Sequence, residues 1–600
     1  MRRIGFVLGI LLLVGAVPRA APASPPILEV SGIHAGQKGY GLCDFGNGKG
    51  VTRFGVEILG VMRDYAPKQD LILARLSGNN LEKSGVIAGM SGSPVYVDDR
   101  LVGAVAYGWP FSEEAIAGIT PIESMLDIRH VPASAPVPIG APSPAGARPT
   151  AAFLESFERG DFLPAFRALV DRVFPERRDG WAPLPLPLSH SGASDSLFRD
   201  TFLSRGAFLD APSGSRARPA VSSEGGLKPG SSVSTILISG DMTMAATGTV
   251  TWVEGSNVLA FGHPFLSMGP VEMPMADSEV IGILPSLYRS FKFASTGRVL
   301  GSITQDRSTG ILGSFGTEAK MVPVHVSIAS ENLPVQRFNF RVVRNSMLTP
   351  ILAATAIDTT LSTLEKSVGE RTIVWKSAIR TPGRTIRFDS VFSGMAAKDQ
   401  AVSAMALLTN YLMANEFHDL AIDGIDVAIE HSDVLKNARI TGVVATKDRV
   451  RPGETVPLFV SLQDFRGSTR RVALSLPVPA GTPPGPLTVF VGDGISATAF
   501  DLSLFPADPR SLEQVLDFLD RLKPANSVNL LAYRAGPGAM VSGEELPALP
   551  PSIYSLYSAQ SARDGGPSLS QQRVYSSSVE QAIPVTGSVR LTLDVVAKID

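Results

Sequence analysis

Short segments rich in β-branched and aromatic residues, separated by turn residues, constrain this fold more than any other feature of the sequence. About six of them follow one another between Gly39 and Ile128: GYGLCDF, TRFGVEILGVM, LILARL, GVIAGMSGSPVYV, RLVGAVAYG and AIAGITPI. The 600 residues include 57 Gly and 46 Pro, which supply frequent turns. This pattern predicts a mainly β protein whose first folded unit, residues 24–130, is a small barrel.

A second set of short strand-like segments lies between residues 233 and 330. Its members include TILISG, ATGTVTWV, NVLAFGHPF, EVIGIL and GRVLGSI. The intervening residues 131–225 are rich in Pro and Ala, with apolar residues at helical spacing around Phe153 and Phe166. We therefore expect two small β barrels, 24–130 and 226–335, joined by an insert at 131–225 that contains a short helix.

The second half of the chain changes character. Residues 336–436 alternate helical and strand patterns, which predicts an α+β domain. Residues 437–505 alternate apolar and polar positions with regular turns, which is typical of an immunoglobulin-like β sandwich. Residues 506–600 form a C-terminal region with one helical segment, DPRSLEQVLDFLDRL.

The N-terminal residues 1–23 have the pattern of a secretory signal. Arg2 and Arg3 precede an apolar run, and Ala21-Pro22-Ala23 follows it. The run is shorter than the roughly 20 residues that span a bilayer. We expect cleavage near Ser24 and export to the periplasm, the cell envelope or the medium, with an uncleaved N-terminal anchor as the alternative.

Charge and cysteine content exclude several classes of function. The formal net charge of −2 offers no basic surface for nucleic acid, so no nucleic-acid partner is expected. Cys43 is the single cysteine, which excludes an intramolecular disulfide and a cysteine-based zinc site. We expect Cys43 to be buried.

The stretch GMSGSP places Ser91 between two glycines. Gly89 and Gly92 allow the sharp turn that a serine nucleophile needs, and the N–H groups of Gly89 and Ser91 could form an oxyanion hole. Two-barrel serine peptidases have this layout, whereas the nucleophile elbow of α/β hydrolases has a different spacing. The alternative is a structural turn of small residues.

A serine nucleophile requires a base. His263 lies in LAFGHPF, at the end of an apolar strand of the second expected barrel, between Gly262 and Pro264. A histidine at this place can project into a cleft between two barrels, so His263 is the candidate base. The six other histidines lie in contexts typical of structural or solvated residues.

Three segments together resemble the SpoIVB peptidase family of bacterial serine peptidases. SGVIAGMSGSPVYVDDRLVGAVAYG resembles the nucleophile segment, VTWVEGSNVLAFGHPF the histidine segment, and GRVLGSITQDRSTGILGSFG the glycine-rich stretch that follows it. The resemblance covers about residues 30–130 and 225–330. It implies a chymotrypsin-like double barrel with Ser91 as nucleophile and His263 as general base, without a metal or cofactor.

The chain departs from the family pattern in three respects. The Ser segment precedes the His segment, no PDZ domain is recognisable, and the expected acidic residue before the Ser loop is replaced by Ser77-Gly78. Asp70 is the nearest carboxylate upstream of Ser77-Gly78. Three readings remain: a triad through Asp70 or another carboxylate, a Ser–His dyad, or loss of catalysis.

Two hypotheses of function follow. The first is an exported serine endopeptidase, self-processing or acting on a protein or peptide substrate, with Trp109 and Phe111 lining the cleft for an apolar side chain. The second is a non-catalytic cell-envelope binding or scaffold protein built on a degenerate peptidase fold. Core packing is the alternative role of Trp109 and Phe111.

Overall fold

The computed structural model describes residues 25–597, with gaps at 47, 132–154, 157–158, 177–181, 192–195, 213–225, 331–332, 363–368, 415–419, 466, 506–510, 542–543, 547–548 and 564–567. The expected signal segment and the Pro/Ala-rich part of the insert lie outside the described residues. Within the described chain, no helix is both long enough and apolar enough to cross a bilayer.

The first barrel is a closed sheet of six strands. Their order is β4-β1-β2-β3-β6-β5, and β5 returns to pair with β4. Alternate residues of β2, such as Phe54, Val56 and Ile58, point into the core, as expected for strands with one buried face. The strands are β1 (Lys38–Asp44), β2 (Val51–Ala66), β3 (Gln69–Ser77), β4 (Pro94–Val97), β5 (Arg100–Gly108) and β6 (Ile116–Pro121), with the short helices α1 (Leu81–Ser84) and α2 (Ile122–Leu126).

The described part of the insert packs on the second barrel. Its aromatic residues form one cluster, and the ring of Phe208 lies 5.8 Å from that of Phe265 in the segment after His263. The insert also adds strands, since β8 pairs with residues 244–246. Its elements are α3 (Leu163–Val173), β7 (Ala182–Pro183), β8 (Leu186–His190), α4 (Ser196–Phe198), a π-helical turn (Arg199–Leu203) and β9 (Phe208–Pro212).

The second barrel is also closed by six strands. Their order is β10-β13-β14-β15-β12-β11, and β11 returns to pair with β10. The strands are β10 (Ser232–Gly240), β11 (Met244–Glu254), β12 (Asn257–Ala260), β13 (Gly269–Leu284), β14 (Phe291–Arg307) and β15 (Gly310–Phe315). The expected pair of chymotrypsin-like barrels is confirmed.

The two barrels share an apolar interface. Leu101, Ala104 and Met125 of the first barrel pack with Trp252 and Leu259 of the second. The long hairpin of β13 and β14 also reaches across to the first barrel. This contact brings the loop before β4 against the second barrel.

An α+β unit continues the sheet of the second barrel, because β17 pairs with β10. Two buried helices, α5 (Leu348–Ser362) and α6 (Ala397–Met413), pack against its sheet and against each other. The strands are β16 (Met321–Ser330), β17 (Leu333–Val343), β18 (Arg371–Thr381), β19 (Arg384–Gly394) and β20 (Gly424–Ser432).

The C-terminal unit is a β sandwich that runs from Ala438 to Val595. One sheet has the order β24-β23-β21-β29, and the other consists of β22, β30, β25, β26, β27 and β28. The sequence boundary at 505 falls inside this unit, because strands beyond it supply the inner face that covers β21 and β23. The elements are β21 (Ala438–Ala445), β22 (Arg449–Val450), β23 (Thr455–Asp464), β24 (Thr469–Pro477), β25 (Gly485–Asp493), α7 (Gly494–Leu504), α8 (Leu512–Asp520), β26 (Ser527–Val541), β27 (Glu544–Leu546), α9 (Pro551–Arg563), β28 (Ser568–Glu580), β29 (Val585–Thr586) and β30 (Ser588–Val595).

Candidate active site

The Ser91 loop lies between the two barrels, just before β4. Gly89 and Gly92 have φ angles of +93° and +94°, which L side chains rarely adopt. A Cβ on Gly92 would lie 1.9 Å from the carbonyl oxygen of Thr249 in β11. The glycine at 92 is therefore required both by the local turn and by the contact with the second barrel.

Two backbone N–H groups flank the Ser91 side chain. Among the described residues, the N–H groups of Gly89 and Ser91 have no hydrogen-bond acceptor. A pair of N–H groups spaced in this way around a serine is the arrangement that receives an oxyanion in acyl transfer. This pair was expected from the sequence, and the backbone leaves both donors available.

The Ala88–Gly89 and Met90–Ser91 peptides, which carry these two N–H groups, are anchored through their carbonyl groups. The carbonyl of Ala88 accepts a hydrogen bond of 3.1 Å from the N–H of Lys292, and the carbonyl of Met90 accepts one of 2.8 Å from the N–H of Ser93. In a trans peptide the N–H points away from the C=O. Fixing these carbonyls therefore fixes the directions of the Gly89 and Ser91 N–H groups before any substrate binds.

His263 follows a strained turn at the end of β12. Phe261 and Gly262 have φ angles of +72° and +70°, and the carbonyl of Gly262 accepts a hydrogen bond of 2.6 Å from the hydroxyl of Thr120 in the first barrel. His263 Nδ1 donates to the carbonyl of Pro264 at 2.8 Å. In the neutral imidazole this bond leaves Nε2 as the nitrogen that can accept a proton.

Thr249 connects the two candidate segments. Its N–H donates to the carbonyl of Ser91 at 2.8 Å, and its carbonyl accepts from the N–H of Phe261 at 3.2 Å. Ser91 Oγ has no hydrogen-bond partner in the described part of the chain, so it is not bonded to His263 in this structure. Such bonds are often long in free enzymes and shorten when substrate binds.

Both candidate side chains are buried. Ser91 is 0% and His263 is 1% exposed. Burial places any reaction in a medium of low dielectric constant, which strengthens electrostatic interactions. It also means that a peptide reaches Ser91 Oγ only after part of the surrounding shell moves.

Asp70 lies in another part of the first barrel. Its carboxylate accepts hydrogen bonds from the Arg63 guanidinium and from the N–H of Asp64 at 3.0 Å, and none from His263. The bond from the Asp64 N–H, with that from Arg63, lowers the pKa of Asp70. The structure therefore brings Ser91 and the His263 segment to one interface and leaves Asp70 at the β2–β3 turn.

Asp306 is a buried carboxylate that the sequence interpretation missed. It accepts backbone N–H bonds from Phe265 at 2.7 Å, Leu266 at 2.8 Å and Met268 at 3.1 Å. Burial raises the pKa of Asp306, and these N–H groups partly oppose that effect. Asp306 holds the loop that follows His263. Its one sequence signal was its place in SITQDRSTG, the third segment of the resemblance.

Exposed apolar residues lie in the β13–β14 loop, which leads to Ser290, and the carbonyl of Ser290 accepts a 2.8 Å hydrogen bond from the N–H of Ala88 in the Ser91 loop. Phe111 is 70% and Trp109 is 40% exposed, so neither is a core residue. The Phe111 ring lies 5.1 Å from that of Tyr288, in the loop between β13 and β14. We call Trp109, Phe111, Leu287 and Tyr288 the apolar rim. Both barrels contribute to the apolar rim, which suits the binding of an apolar chain.

Comparison with known proteins identifies the first barrel. Residues 27–126 match the family model of SpoIVB peptidase S55. The matched range contains Ser91 and ends before the second barrel. No curated protein and no solved structure matches the chain. The barrel that carries the Ser91 loop is thus similar to the SpoIVB peptidase S55 family, and the match covers 100 of the 600 residues.

Proposed function

We propose that this protein is an exported serine endopeptidase that cleaves peptide bonds with Ser91 as nucleophile and His263 as general base. The observation that carries the proposal is the pair of N–H groups of Gly89 and Ser91, which lack acceptors among the described residues while their peptides are anchored. A structural turn has no need of two fixed, unused donors beside a serine.

The chemistry follows from these positions. Ser91 Oγ attacks the substrate carbonyl while His263 Nε2 takes the hydroxyl proton. The carbonyl oxygen becomes an oxyanion and is received by the N–H groups of Gly89 and Ser91. His263 then gives its proton to the leaving amine. Water then attacks the acyl carbonyl while His263 Nε2 takes a proton from it, and His263 returns that proton to Ser91 Oγ as the acid product leaves.

The carbonyl of Pro264 takes one of the two roles that an aspartate has in a triad. Through the 2.8 Å bond to His263 Nδ1 it fixes the tautomer, but it is neutral and stabilises the imidazolium less than a carboxylate would. A dyad of this kind is expected to be slow. A slow site suits a peptidase with one or a few substrates, including its own chain.

A non-catalytic envelope scaffold is the second candidate function. The burial of Ser91 and His263 and the separate position of Asp70 favour it. In that case the Ser91 loop serves to join the two barrels through Thr249.

Covalent labelling separates the two functions. A fluorophosphonate probe should label the purified mature protein at Ser91, as located by mass spectrometry. Ser93→Ala removes an equally buried hydroxyl two residues away and is the matched control, which should still be labelled. Absence of label on wild-type protein that cleaves no protein or peptide, itself included, would favour the scaffold.

Export requires its own test. The basis is the Arg2-Arg3 start, the apolar run and the Ala21-Pro22-Ala23 site. N-terminal sequencing of protein isolated from cells should begin near Ser24. Recovery of the full-length chain from the cytoplasm would contradict export.

A further inference from the structure

Lys292 is a fully buried lysine without an anionic partner among the described residues. Its Nζ makes two long hydrogen bonds, 3.4 Å to Ser232 Oγ and 3.3 Å to Thr249 Oγ1, and no carboxylate in the described part of the chain lies within ion-pair distance. Burying an ammonium group without an anion costs free energy that folding alone does not recover. This cost suggests that the ammonium group has a role beyond packing.

The side chain of Lys292 lies directly against the Ser91 loop. An ideal Cβ on Gly89 would be 3.2 Å from Lys292 Cδ and 3.3 Å from Cγ. The backbone N–H of Lys292 holds the carbonyl of Ala88 at 3.1 Å. One residue of the second barrel therefore contacts the Ala88–Gly89 peptide with both its main chain and its side chain.

A hydrogen-bond relay links the Lys292 amine to the next peptide of the loop. Nζ donates to Thr249 Oγ1, and that hydroxyl donates to the carbonyl of Gly89 at 2.8 Å. The Gly89–Met90 peptide lies between the two peptides whose N–H groups face the site. The relay fixes the orientation of this middle peptide and therefore the spacing of the two donors.

We propose that Lys292 is a positioning residue of the oxyanion hole, which holds Gly89 through Thr249 and supplies positive potential behind it. The inference rests on the proposed function. In a buried site, a cation behind the two N–H groups stabilises an oxyanion more than it stabilises a neutral carbonyl. Lys292 therefore acts on the transition state and has little effect on substrate binding.

Lys292→Met tests this role, because it keeps the stem that packs on Gly89 and removes the amine. We expect the rate of fluorophosphonate labelling at Ser91, and kcat for a cleaved peptide, to fall by about tenfold or more with little change in KM. We also expect the melting temperature to stay the same or rise, since an unpaired buried charge is removed.

Lys398→Met is the matched control. Lys398 is a mostly buried lysine that pairs with the buried Asp358 at 2.8 Å, far along the chain in the α+β unit. Removing its amine should lower the melting temperature and leave labelling per folded molecule unchanged. A purely structural Lys292 would behave in the same way, with reduced stability and normal labelling, and that result would overturn the inference.

Two variants of Thr249 keep the test decisive if Lys292→Met does not fold. Thr249→Val breaks the relay and should slow labelling, whereas Thr249→Ser keeps a hydroxyl and should restore it. Normal labelling of Thr249→Val would overturn the relay.

If wild-type protein is not labelled and cleaves nothing, the proposed function fails and the role of Lys292 fails with it. If wild type reacts and the variants react equally fast, only the role of Lys292 fails.

Discussion

The carbonyl of Ser91 accepts a 2.8 Å hydrogen bond from the N–H of Thr249, which ties the loop of the first barrel to β11 of the second. The candidate nucleophile is thus held by both barrels at once. Any change that separates the barrels must also disturb the Ser91 loop, so stability at this interface and reactivity of the site should vary together.

Ser91 and His263 should behave as one unit. Ser91→Ala and His263→Ala are each expected to lower peptidase activity by at least about a thousandfold, and the double variant should be little worse than either one. Activity is measured with a peptide substrate or by self-cleavage. Additive losses would mean that the two side chains act independently. Full activity of Ser91→Ala in a preparation free of other peptidases would assign Ser91 to the structural turn.

Asp70→Asn should leave kcat within about threefold of wild type, because Asp70 contacts Arg63 and Asp64 and not the histidine. A loss of several orders of magnitude would restore the triad hypothesis.

The lowered pKa of Asp70 predicts a small stability contribution above the unfolded pKa, which is lost as the pH falls through the folded pKa. Denaturant unfolding at acidic and neutral pH measures it.

The raised pKa of Asp306 predicts the opposite pH dependence of the free energy of unfolding. Because burial raises its pKa in the folded state, the folded protein binds the proton more tightly, and stability falls as the pH rises above the ordinary value of 3.8. Asp306→Asn removes this titration. The free energy of unfolding of wild type, relative to that of Asp306→Asn, should therefore decrease from acid to neutral pH. A constant difference in the free energy of unfolding across this range would contradict the prediction.

Gly92→Ala should destabilise the barrel interface by more than about 3 kcal/mol, because its Cβ would overlap the Thr249 carbonyl. Gly36 is the matched control: its φ of +87° is similar, but nothing lies within 4 Å of its Cβ position. Gly36→Ala should cost about 1 kcal/mol from backbone strain alone. Equal costs in denaturant unfolding would show that the contact with Thr249 is unimportant.

Phe111→Ala should raise KM for substrates with large apolar side chains and change kcat little, since Phe111 contacts Tyr288, two residues before the Ser290 that bonds to the Ser91 loop, and does not contact Ser91 or His263. Phe465→Ala is the control, because Phe465 is similarly exposed in the C-terminal sandwich. An unchanged KM for Phe111→Ala, with apolar and polar peptides alike, would remove the apolar rim from substrate binding.

Local pattern was sufficient to predict the strands and the two barrels. Period-two alternation and turn residues mark each strand, and those signals lie within a few residues of one another. The GMSGSP loop was recognisable for the same reason, because its glycines and its serine are adjacent in the chain. The end of the β sandwich could not be recognised in this way, and the predicted boundary at 505 is too early. The strands that complete the sandwich follow two helices, and they pair with strands that lie far back in the chain.

The sequence by itself determined which residue types the candidate site contains: a serine between glycines, a histidine after a strand, and a backbone able to turn sharply at both. The tertiary structure decided which residues support them. Asp70 is near Ser91 in sequence but is bound by Arg63, whereas Thr249, Lys292 and Asp306 lie far away in sequence and hydrogen-bond to the two loops of the candidate site. A hydrogen bond or an interaction with a buried charge requires that two groups lie close together in space. Closure of the barrels sets that distance, however far apart the two residues are along the chain.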